Sequence, residues 1–169
     1  MKYMMLGTYR AHPLTRLTLL CTLVFLSGLW LTNGLLYFRH MDLRPQSVVT
    51  YYRGSEAEFA MPRTYGSMLE LTHMHLASMA LVLLLLTHLS IFLPWSMRRR
   101  IVLVLVTFAS ALLGEAASWL VRFVHPAFAW LKVAAFLSLE TSLAILIVAL
   151  AWQLGPRTDR DATAANGGR

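Results

Sequence analysis

The chain has 169 residues, of which 57% are hydrophobic and 14% charged, with a mean hydropathy of +0.58. That is too apolar for a soluble domain of this size, and no extramembrane stretch is long enough for a soluble catalytic domain. The net charge of +7 gathers at the ends of apolar runs, which reads as membrane topology and speaks against nucleic-acid binding.

A spanning helix needs about 20 mostly apolar residues, and four segments qualify. The first, residues 17–38, follows Lys2, Arg10 and Arg16 and runs to full spanning length without a small-residue cleavage site, so it is expected to be retained. Cys21 within it is read as a small packing residue. As the only cysteine, it excludes a disulfide framework, a C-x-x-C-H haem attachment and cysteine-held iron–sulfur clusters. Gly28, Thr32, Asn33 and Gly34 offer ordinary close packing and hydrogen bonds between helices.

Residues 39–68 form an outer loop broken by Pro45, Gly54, Pro62 and Gly66. The run Val48 to Tyr52 is expected to be a short strand or an interfacial piece. Arg53, Arg63, Tyr51 and Tyr52 of this loop are expected to dock a partner or meet haem propionates.

The second span, residues 69–93, stops at Pro94, with Trp95 at the interface and Arg98, Arg99 and Arg100 leading into the third span, 101–121. Arg122 to Pro126 joins the third span to the fourth, 127–154, and Gly155-Pro156 ends it. The tail 157–169 is expected to be disordered. The expected fold is all-α, a polytopic membrane protein with a four-transmembrane-helix bundle. Arginine and lysine in the short connections predict both termini in the cytoplasm and an inner-membrane location.

The second span carries His73, His75 and His88. An imidazole at membrane depth needs a metal, a proton path or a neighbouring helix to satisfy it. His73 and His88 fall within about 60° on one face and roughly 22 Å apart, with the small residues Ala77 and Ala80 between them. His75 lies about 200° from His73, so the two compete as ligands. His40 and His125 leave neighbouring spans at the outer level and are the candidate partners of His73 or His75 at an outer b-type haem. His88 is the candidate ligand of a second, inner haem, with Met97, His12 or another subunit as partner. Interfacial hydrogen bonding of the histidines to Glu70 or Tyr65, or a copper, iron or zinc site, are the competing readings.

The stretch from Glu70 to Leu93, with its motif ELTHMHLASMALVLLLLTHL, resembles the haem-ligating helices of membrane b-type cytochromes, including the four-helix cytochrome b561-like group. The resemblance implies two haems, one near each membrane face, passing electrons between a quinone and a partner; for this chain one or two haems and a partner such as a c-type cytochrome are expected. The chain departs from that pattern in having no second span with two histidines.

Glu115 and Glu140 fall near mid-bilayer and Lys132 lies nearer the outer end, each costing about 2.5–3.5 kcal/mol at the bilayer centre unless partnered. Lys132 or Arg122 is the expected partner of Glu115. Functionally, the two glutamates are candidates for a proton relay serving a quinol. The expected role is therefore a membrane electron-transfer subunit in contact with lipid and other subunits of a complex. A non-redox accessory subunit and a small histidine-based metal transporter are the alternatives.

Overall fold

The computed structural model describes residues 13–155. It contains α1 (Pro13–His40), α2 (Pro45–Arg53), α3 (Tyr65–Leu89), α4 (Met97–Phe123) and α5 (Ala129–Leu154). All but α2 belong to segments long and apolar enough to cross a membrane. Among the described residues the only β feature is an isolated bridge between Ser55 and Ala60. The all-α, four-span expectation holds. Lys2, Arg10, His12 and the tail 157–169, singled out from the sequence, lie outside the described residues.

The run Val48–Tyr52 is helical, contrary to the strand expectation, and three local features explain it. Pro45 fixes the first-turn φ where its missing N–H costs nothing. Asp42 braces the entry: its Oδ1 accepts from Arg44 N at 2.7 Å, and its own N–H donates to Ser47 Oγ at 2.7 Å. Val48 and Tyr52 then stand four residues apart, which places both on one buried helix face. β-Branching at Val48, Val49 and Thr50 is outweighed by that burial.

Gly54 ends α2 at φ 80°, and a Cβ there would meet Ala60 O at 2.5 Å. Only glycine fits both the left-handed backbone and the close approach of the returning chain. α3 begins at Tyr65, four residues before the expected start, because Thr64 Oγ1 caps it by accepting from Ser67 N at 3.2 Å. α4 likewise takes Arg98, Arg99 and Arg100 into its first turns. Arg100 Nη2 donates to Leu93 O at 2.7 Å and ties the α3–α4 hairpin shut.

α4 and α5 pack along their length, α1 lies against α5, and α3 leans on both α4 and α5. α1 and α3 hardly touch each other. Leu23, Leu83, Leu86, Leu146 and Leu150 fill the core toward the hairpin end, and Arg16 Nε closes that end by donating to Leu154 O at 2.9 Å. At the other end α2 covers the bundle, burying Val48 and Tyr52 against Met68, Val121 and Val133. Tyr37 stacks on Phe136 with centroids 3.6 Å apart, fixing the C-terminal half of α1 on α5. Phe25, Leu81 and Trp152 point outward, as lipid-facing side chains do.

Candidate functional site

Thr72 and His75 are three residues apart on α3 and therefore share a helix face, and that face looks at α4. His75 Nδ1 lies 2.7 Å from Glu115 Oε1. Thr72 Oγ1 donates to Glu115 Oε2 at 3.2 Å, and Trp119 Nε1 donates in turn to Thr72 Oγ1 at 3.0 Å. Both carboxylate oxygens are thus engaged. With the carboxylate accepting, Nδ1 donates, and Nε2 has no hydrogen-bond partner among the described residues. The His75 side chain is 35% exposed and that of Glu115 11%.

The partners expected for Glu115 go elsewhere. Lys132 Nζ donates to Gly114 O at 2.9 Å and forms no ion pair with Glu115, so its charge acts on the carboxylate only at longer range. Arg122 Nε donates to Arg63 O at 2.7 Å, drawn outward by the loop that covers the bundle. Beside this centre, Tyr52 Oη and Ser118 Oγ are 2.9 Å apart. Burial pushes the Tyr52 phenol up to about 12, against the opposing hydrogen bond of Ser118. Glu140 is held between helices: Asn33 Nδ2 donates to its Oε1 at 2.5 Å and Trp30 Nε1 to its carbonyl at 3.1 Å.

His75 and Glu115 stand on the wall of a cleft of about 490 Å³ beneath α2. Its mouth is formed by His40, Tyr51 and Arg63, with the Arg63 guanidinium 4.3 Å from the Tyr51 ring centroid. The cleft borders an apolar pocket of about 320 Å³ lined by Leu26, Leu83, Leu86 and Leu143, the two sharing Asn33, Leu36, His75, Met79 and Leu139. The apolar pocket is lined by α1, α3 and α5, and α4 adds to the wall of the cleft. A mostly apolar cavity with one cluster of convergent polar groups is the common form of a small-molecule site.

The other histidines are placed apart from this centre. His73 and His88 share a stripe of α3 with Ala77, Ala80 and Leu84, and the whole stripe is exposed. A flat group lying on it would sit outside the bundle. His40 ends α1 at the cleft mouth, its ring 5.2 Å from that of Tyr51, while His75 lies roughly two to three turns deeper along α3. His125 is exposed and caps the turn before α5, its Nδ1 accepting from Ala127 N at 3.2 Å. Among the described residues, no three or more histidine, cysteine or acidic side chains gather as a metal-holding group.

Sequence reading singled out His75 and Glu115 but not their pairing, placed Ser118 on the face of Glu115 without a role, and missed Thr72 and Trp119. The available signals were the three-residue spacings Thr72 to His75 and Glu115 to Ser118, polar pairs on one helix face. It read Asn33 as ordinary packing and hydrogen bonding between helices, without identifying Glu140 as its partner.

Residues 42–161 match a family model described as a transmembrane helical domain. No curated protein and no solved structure matches the chain.

Proposed function

We propose that this chain, which belongs to the Aq_1264_TM family of transmembrane helical domains, is a membrane electron-transfer subunit that exchanges electrons and protons with the quinone pool. The observation behind this reading is the hydrogen-bonded His75–Glu115 pair on the wall of a largely apolar cleft that adjoins a leucine-lined pocket. A quinol brings a dihydroxy head on a long apolar tail. The head needs a base, and the tail needs an apolar path out to lipid. The cleft offers both: Nε2 of His75 for the hydroxyl, and the leucine-lined pocket for the tail.

Oxidation of a quinol releases two electrons and two protons. His75 accepts the two protons one after the other at Nε2, handing the first on toward the cleft before the second arrives, and Glu115, bound to Nδ1, stabilises the cation that forms each time. Thr72 and Trp119 hold the carboxylate in place for that task. His40, Tyr51 and Arg63 line the way out for protons to the outer surface in the topology with both termini cytoplasmic. The membrane in this reading is the cytoplasmic one, and the electrons leave to a b-type haem or to a partner such as a c-type cytochrome.

His75 is the histidine of α3 that lines the cleft, and His40 lines the same cleft from the end of α1. The histidines available to a haem on the outside are His73 and His88, on a stripe whose small residues also suit a neighbouring subunit.

The deciding experiment has two parts on the purified chain in nanodiscs: a reduced-minus-oxidised spectrum with a pyridine haemochrome assay, and binding of a short-chain quinol to wild type and His75→Ala. Quinol binding that weakens at least tenfold in the variant supports the proposal, and a b-type band adds the haem. A folded, colourless protein that does not bind quinol overturns it in favour of an accessory subunit.

A further inference from the structure

The hairpin end of the bundle carries two lipid-facing grooves that meet at Trp95 and Ile145. One, of about 600 Å³, runs past Pro94, Ala149 and Trp152. The other, of about 850 Å³, runs from Arg98 and Arg99 past Val102, Val106 and Leu137 toward mid-bilayer. Small α5 residues make the grooves: Ala144 and Ala149 in the first, Ser138 and Ser142 in the second. The Ser142 hydroxyl donates to Ser138 O.

The arginines at this end differ in what they do. Arg16 and Arg100 are tied to the carbonyls of Leu154 and Leu93. Arg98 and Arg99 are exposed and make no hydrogen bond or ion pair among the described residues, and neither groove is lined by an aspartate or glutamate. Among the described residues, two guanidiniums without an acidic partner therefore stand at one end of the second groove, which joins the first at Trp95 and Ile145.

We propose that this fork binds one anionic phospholipid, with its phosphate at Arg98 and Arg99 and its two chains on either side of Ile145. A zwitterionic lipid of the same chains sets its own cation against the two guanidiniums and gains less. Guanidinium–phosphate pairing is bidentate and strong, and each arginine near a membrane surface favours an anionic headgroup about fivefold. This site is separate from the quinol cleft and does not depend on that reading.

The test is native mass spectrometry of the full chain released from micelles holding phosphatidylglycerol and phosphatidylcholine of identical chains. Wild type is expected to retain one phosphatidylglycerol in preference to phosphatidylcholine by about 25-fold, two arginines each contributing about fivefold. The preference is expected to vanish in Arg98→Gln/Arg99→Gln and to survive in Arg98→Lys/Arg99→Lys. Both positions are exposed, and a circular dichroism melt checks that the variants fold. Equal retention of the two lipids by wild type, an unchanged preference in the glutamine variant, or a second copy of the chain in place of lipid would each overturn the proposal. Displacement of the lipid by inorganic phosphate would do the same, since the chains would then contribute nothing.

Discussion

His75 Nδ1 and Glu115 Oε1 face each other across the α3–α4 contact at 2.7 Å, His75 from almost three turns into α3 and Glu115 from the second half of α4. The pair joins two helices through a polar contact in a setting where water is scarce. Glu115→Gln keeps a side chain able to bond Thr72, so stability should change by no more than about 1 kcal/mol. The amide cannot stabilise a cationic imidazole. Quinol-dependent electron transfer should fall by about 100-fold or more, read by stopped-flow absorbance. A glutamine variant as fast as wild type would leave the pair a purely structural role.

Asn33 and Glu140 form the corresponding polar link between α1 and α5. Leucine at both positions, set against each single substitution, should show a coupling of about 1 kcal/mol by thermal unfolding in detergent, within the range seen for hydrogen bonds between membrane helices. Asn33→Leu alone should be worse than the double change, because it strands the carboxylate beside Leu139 and the apolar pocket.

Gly54 is where the outer loop turns back beneath α2. Gly54→Ala places a methyl 2.5 Å from Ala60 O on a backbone at φ 80°, and both faults must be relieved by moving the loop. The expected loss is about 2 kcal/mol, with faster proteolysis between Ser55 and Arg63 as the local sign. Gly66, with open space around its α-carbon, should accept alanine with no such loss.

Tyr52 supplies a pH prediction. Its buried phenol holds its proton up to about 12, above the ordinary value of 10.0, so the folded state binds that proton more tightly than the unfolded one. The stabilisation is present in full below about pH 10 and is lost as the pH climbs through about 12. Melting temperatures should therefore decline across that window. In Tyr52→Phe this part of the decline should disappear, along with about 1 kcal/mol from the Ser118 hydrogen bond.

The number of spans, their order and the two short connections on either side of α4 are legible in the residues. A backbone in hydrocarbon must satisfy its own hydrogen bonds, so a long apolar run has one regular outcome, and Pro94, the arginine triplet and Pro126 mark where each run stops. The need of Glu115, Lys132 and Glu140 for partners follows from the same physics, but their identities do not. Lys132 was the nearest charge by depth, yet it bonds the Gly114 carbonyl while a histidine takes the carboxylate.

Sequence by itself thus determined a four-span membrane bundle and the residue types that carry its chemistry. Tertiary structure decided how each helix is turned. α3 is apolar on nearly every side, so its composition names no inward face, and His73 and His75 stood as equal rivals until packing chose. It chose because Thr72, His75 and Met68 meet α4 and the α2 cover, while the alanine stripe with His73 and His88 is left to lipid or a neighbour. The same contacts made a helix of Val48–Tyr52, since only a bundle end can bury one face of so short a segment.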